Sequence, residues 1–89
     1  MGNDSLSDLY YQHRTGDNLP MITIYNSPSD YVGKYVARIF IVERGARLNS
    51  LSFALVADSL EQIRAELPEG LHCTPSSPED EPHIVETWL

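Results

Sequence analysis

Lys34-Tyr35-Val36-Ala37-Arg38-Ile39-Phe40-Ile41-Val42 is the longest strand signal in the chain. Successive side chains of an extended backbone alternate sides, so Tyr35, Ala37, Ile39 and Ile41 share one face and Val36, Arg38, Phe40 and Val42 the other. Both faces are largely apolar, which predicts a central strand with at least partial cover on each side. The segments around it are read by whether they can build a sheet with it.

Upstream, Met21-Ile22-Thr23-Ile24-Tyr25 is β-branched and aromatic and reads as a first strand. Asn26 to Asp30 is a turn or loop by composition. Downstream, Glu43 to Arg47 predicts a hairpin-like connection, and Leu51, Phe53 and Leu55 alternate with small residues as a third strand. Asp58 then caps a helix running to Leu67, with Glu61 completing a capping box. Val56, Leu60, Ile63 and Leu67 form its core-facing stripe, and Pro68 stops it. Leu71 to Thr74 reads as a short strand, Pro75 to Pro82 as an acidic, proline-rich loop, and His83 to Leu89 as a last strand. The expected fold is α+β: a four- or five-stranded, mostly antiparallel sheet with one helix packed on one face, in the order β-β-β-α-β-β. Residues 1–20, rich in Asn, Asp, Ser and Gly, read as a flexible N-terminal tail and residues 21–89 as a single domain.

Thirteen acidic residues against six basic ones give a formal charge of −7. Direct nucleic-acid and anionic-membrane binding are not expected, because phosphate recognition needs clustered Lys and Arg. The acids serve solubility, or they form a face that docks on a basic protein; the residues for that role are Glu61, Glu66, Glu79, Asp80 and Glu81. Cys73 is the only cysteine, which suits a reducing cytoplasm. No signal peptide or apolar run of membrane-spanning length is evident.

No constellation for chemistry emerges. His72 and Cys73 are adjacent and point to opposite sides of a strand, with Cys73 expected to face the core beside Leu71, and neither has the close ligand pairing of a structural zinc site with His13 or His83. Gly-x-Ser-x-Gly and phosphate-cradling glycine loops are absent. No metal, cofactor or catalytic residue is therefore expected. Tyr25, Tyr31 and Tyr35 either close the edge of the core or form an adhesive surface. In the last strand Ile84, Glu86 and Trp88 share a face. If Trp88 is in the core, Glu86 is on the core side and needs a partner; Arg38, between Val36 and Phe40, is the expected cross-strand ion pair, the alternative being a solvated Glu86 at the rim.

The segments Tyr35-Val36-Ala37-Arg38, Ala57 to Arg64, Leu67-Pro68-Glu69-Gly70-Leu71 and Pro82 to Leu89 resemble a group of small uncharacterised bacterial proteins that end in Pro-x-Ile-Val-Glu-x-Trp. The resemblance covers about two thirds of the chain by its motifs, which are cap, helix stop and last strand, and it implies no activity. The functional expectation is a small acidic, non-enzymatic protein-binding module, such as a phage- or plasmid-type inhibitor of a nucleic-acid-binding protein. The alternative is a homo-oligomeric accessory protein, a homodimer built through a strand edge and Leu6, Leu9 and Tyr10.

Overall fold

The computed structural model describes residues 5–45, 47–75 and 83–89. Eight elements follow in order: α1 (Leu6–His13), β1 (Leu19–Asn26), β2 (Tyr35–Glu43), β3 (Arg47–Ser50), β4 (Leu55–Ala57), α2 (Leu60–Arg64), β5 (Cys73–Pro75) and β6 (Ile84–Trp88). The fold is α+β, and its strands form one antiparallel sheet of six strands in the order β3-β2-β1-β6-β5, with β4 also paired to β2. Strand number and helix number both exceed the expectation of four or five strands and one helix.

The extra strand arises because two strands, β3 and β4, flank the stretch through Leu51 and Phe53 where a single third strand is expected. β3 and β4 pair with successive parts of the same side of β2: Val42 opposes Leu48 in the first and Val36 opposes Val56 in the second. The Leu51 N–H still donates to the Ile39 carbonyl at 3.0 Å, after which the chain leaves β2 until Leu55, and Leu51 and Phe53 pack on the core. The β2–β3 connection is the expected tight hairpin. Glu43 opposes Arg47, and Gly45 takes a φ of +82°, where a side chain would be strained.

The extra helix is α1. Ser5 caps it: its hydroxyl accepts from the Asp8 backbone N–H at 3.1 Å, while the Asp8 carboxylate returns to the Ser5 N–H. Eight residues are too few for a stable isolated helix, so α1 depends on what it buries. Leu6 and Tyr10, one turn apart, are 1% and 2% exposed and belong to the central cluster with Ile22, Ile24, Ala37, Ile39, Ile41 and Ile63. Residues 6–13 are thus part of the folded unit, which corrects the reading of residues 1–20 as a tail; β1 itself begins at Leu19, before Met21.

α2 is shorter than the predicted helix. It is capped by Ser59, not Asp58, and Gln62 rather than Glu61 closes the capping box. Ile63 is fully buried, and Leu60 and Leu67 pack against the cluster, but Val56 belongs to β4.

Residues opposed in an antiparallel ladder project to the same side. Ile22, Ile24, Ala37, Ile39, Ile41, Glu86 and Trp88 therefore share the face that α1 and α2 cover. Leu19, Met21, Thr23, Tyr25, Val36, Arg38, Phe40 and Val42 share the second face. The loop from Ser27 to Lys34 folds over one end of it, where Asp30 pairs with Arg38 and the Arg38 guanidinium lies 5.8 Å from the centre of the Tyr25 ring.

Candidate functional site

β4 is only three residues long and is bonded to β2 on one side; among the described residues no strand pairs with its other side. α2 follows directly and packs on β4 and β2. Its start is held by Gln62, whose side-chain oxygen accepts from the backbone N–H of Asp58 at 3.0 Å and of Ser59 at 3.3 Å. This short β4–α2 connection leaves an open groove of about 590 Å³ between the outer edge of the strand and the helix. Leu55, Val56 and Ala57 line one wall, and Gln62, Ala65 and Glu66 the other. Lys34 and Asp58 form an ion pair at the rim. The lining offers an apolar strand edge, the side-chain amide of Gln62, the carboxylates of Asp58 and Glu66 and the ammonium group of Lys34.

Of the residues expected to meet a partner, Glu66 lines this groove and is exposed, and Glu61 is exposed on α2 outside the lining. Glu79, Asp80 and Glu81 lie outside the described residues. Lys34, Asp58 and Gln62 were not anticipated as groove residues. Asp58 reads as a helix cap from sequence, and nothing local reveals that β4 is an edge with a helix turned back beside it.

A second polar cluster sits on the helix-covered face. Glu86, 9% exposed, receives Arg64 Nε at 3.1 Å on one carboxylate oxygen and Arg64 Nη2 on the other. The Trp88 indole N–H donates to it at 3.0 Å. The Arg64 hydrogen bonds, and to a lesser degree that of Trp88, hold the Glu86 carboxyl below its ordinary value against the opposing effect of burial. Glu86 in turn holds the Arg64 guanidinium above its ordinary value. The adjacent Cys73 opposes Trp88 and so projects to the helix-covered face, the side expected for it, but on edge strand β5 it is exposed rather than buried; loss of hydration, and then the Glu86 charge, raise its thiol.

The expected Arg38–Glu86 pair is not formed. Arg38 opposes Thr23, which opposes Thr87, whereas Glu86 opposes Ile24, which opposes Ala37. The two side chains are on opposite faces of the sheet, and their partners are Asp30 and Arg64. A bulge sets part of this arrangement: between Ile24 and Tyr25 the register shifts by one residue on β6, so Ile84 opposes Tyr25 and no longer shares a face with Glu86.

The histidines do not converge. His13 Nδ1 lies 3.1 Å from the Leu9 carbonyl, His83 Nδ1 lies 3.2 Å from the Asn26 carbonyl, and the His72 backbone is bonded to Leu89. Among the described residues no three His, Cys, Asp or Glu side chains are grouped to hold a metal, and no helix is long and apolar enough to cross a membrane. Tyr25 and Tyr35 lie on opposite faces, Tyr35 packing on the core, so the three tyrosines build no common surface.

Comparison with protein-family models, curated proteins and solved structures yields no match for this chain.

Proposed function

We propose that this chain is a non-enzymatic protein-binding module that takes an extended, lysine- or arginine-bearing segment of a partner along the outer edge of β4. The observation that carries the reading is the groove itself: a strand edge that no described strand pairs on one side, a helix on the other, and the carboxylates of Asp58 and Glu66 in its lining. An extended peptide added beside β4 would gain main-chain hydrogen bonds from the strand edge, and side-chain specificity from the helix wall. Glu66 makes no ion pair among the described residues and is exposed, so it is free to meet a cation from the partner. The net charge of −7 would draw a basic partner towards the chain and speed encounter.

The test is selection of a displayed random-peptide library on the immobilised protein at low and high salt. The expected outcome is enrichment of extended peptides carrying Lys or Arg, whose binding weakens in high salt and is lost with Glu66→Lys. Enrichment indifferent to that substitution, or none, would overturn the reading.

A further inference from the structure

β4 offers its open edge through a single residue. In an antiparallel ladder, opposed residues exchange both main-chain hydrogen bonds or neither, in alternation along the strand. The Leu51 N–H donates to the Ile39 carbonyl at 3.0 Å, so Ile39 turns its main-chain groups to the β3–β4 side of β2. The Ser27 N–H donates to the Lys34 carbonyl at 2.7 Å, on the β1 side. The β1–β2 register runs unbroken from Asn26–Tyr35 to Leu19–Val42, so this alternation holds along β2. Tyr35 and Ala37 therefore bond to β4 through Ala57 and Leu55, and Val56, opposed to Val36, points its N–H and C=O away from β2. No described strand receives them. The next outward donor, the Asp58 N–H, is already taken by the Gln62 side chain at 3.0 Å.

The side chains divide in the same way. Val56 shares the second face with Val36 and is 38% exposed, whereas Leu55 and Ala57 project to the helix-covered face. A partner residue opposed to Val56 puts its side chain beside that of Val56. Its two neighbours in the partner chain project to the other side, where Gln62, Ala65 and Glu66 form the helix wall. Of the two carboxylates in the lining, Asp58 is paired with Lys34, and Glu66 makes no ion pair among the described residues.

We infer that the partner's recognition element is an apolar residue with Lys or Arg next to it in sequence, held antiparallel to β4 with the apolar residue opposed to Val56. This rests on the groove reading above and adds its register. The apolar residue accepts from the Val56 N–H and donates to the Val56 carbonyl, and the adjacent cation meets Glu66. One antiparallel residue makes both bonds, whereas a parallel partner divides them between two residues and pairs less stably. A cation two places from the apolar residue shares the Val56 face and misses the helix wall.

NMR titration of the full chain with the acetylated and amidated pentapeptide Ser-Lys-Val-Lys-Ser tests it. The amides of Val56, Ala65 and Glu66 are expected to shift, and Glu66→Lys to weaken the binding. N-methylation of the peptide's valine is expected to weaken it about tenfold or more, because the Val56 carbonyl then loses its donor. N-methylation of either lysine changes it by no more than about twofold, since those N–H groups point away from β4. Val56→Pro removes only an outward N–H, at an edge position that accepts proline, and is expected to lower affinity in the same way; the methylated valine reads the same contact from the peptide's side if that variant perturbs folding. A pentapeptide that shifts none of these amides at millimolar concentration, or that binds equally well with its valine methylated, overturns the inference. Selection from the peptide library separates the two readings: Glu66-dependent library peptides beside a silent or methylation-tolerant pentapeptide overturn the inference alone, and the absence of any such peptide overturns both.

Discussion

Arg64, the last residue of α2, and Glu86, in β6, join the helix to the far half of the sheet through two parallel hydrogen bonds, Nε and Nη2 each donating to a different carboxylate oxygen. This bidentate geometry is the strong form of such a pair. It is asymmetric in its surroundings: the Arg64 side chain is about half exposed, whereas that of Glu86 is 11% exposed. Removing the arginine strands a carboxylate away from water with the Trp88 N–H as its remaining strong donor; removing the charge on Glu86 leaves an arginine that water can reach. Arg64→Ala is therefore expected to lower the urea midpoint more than Glu86→Gln, whose cost is on the order of 1–2 kcal/mol. Equal effects of the two substitutions would contradict this asymmetry.

The same pair makes stability depend on acid. The Glu86 carboxyl titrates below its ordinary value in the folded chain, chiefly because Arg64 donates to it, so below that value protonation costs the folded state more than the unfolded one. The contribution is fully present above an unfolded carboxyl pKa of about 4.3 and is lost as pH falls through the lowered folded value. Denaturation midpoints measured from neutral to acid pH should converge for the native chain and Glu86→Gln at the acid end and separate above it.

Cys73 should behave as a slow thiol. Loss of hydration raises its pKa and the neighbouring Glu86 charge raises it further. At neutral pH its alkylation by iodoacetamide is expected to be slower than that of an unstructured peptide thiol, since the thiolate is the reactive form. Glu86→Gln should speed the reaction at fixed pH, and a variant no faster than the native chain would remove Glu86 as a cause.

The N-terminal helix should matter to the whole fold. Leu6→Ala empties part of the core cluster that Leu6 shares with Ile22, Ile24 and Ile63, at an expected cost of about 2–4 kcal/mol. A chain beginning at Met21 loses Leu6 and Tyr10 together and the first residues of β1, and is expected to lose cooperative unfolding in a calorimetric scan. An unchanged transition in either variant would return residues 1–20 to the status of a tail.

At the start of α2 the two candidate caps can be told apart. Ser59→Ala removes the hydroxyl that accepts the Gln62 N–H at 3.2 Å, with an expected loss of about 1 kcal/mol. Asp58→Asn retains the backbone N–H that donates to Gln62 and removes only an exposed ion pair with Lys34, worth about 0–1 kcal/mol. Chemical denaturation of the two variants gives the order.

The strongly patterned segments were legible because their signal is local. Alternation of β-branched and aromatic residues in Met21–Tyr25 and Lys34–Val42 marks β1 and β2 whatever surrounds them, whereas the stop read at Pro68 lies beyond the end of α2 at Arg64. The same alternation shows that β2 is apolar on both sides and that Glu86 and Trp88 share a side. What pattern does not contain is the identity of the neighbour. The Arg64–Glu86 pair depends on where α2 lies across the sheet, and the place of Arg38 on the opposite face depends on register. A bulge at Ile24/Tyr25 shifts the register by one residue and changes which face Ile84 joins, with no residue type that announces it. A helical turn through Leu6, Leu9 and Tyr10 is too short to be stable alone, which is why α1 reads as a tail from sequence; the apolar surface of Ile22, Ile24, Ile39 and Ile63, assembled from distant parts of the chain, stabilises it. The groove beside β4 has the same origin. The strand's composition reflects its pairing with β2, but that its other edge is unpaired among the described residues and lies beside a helix is decided by how the chain returns after β3. The sequence by itself determined that β1 and β2 extend, that a helical segment lies between Asp58 and Pro68, and which sides of β1 and β2 are apolar. The tertiary structure decided which charges meet and which edge and face stay open, because those depend on register and packing between residues far apart in the chain.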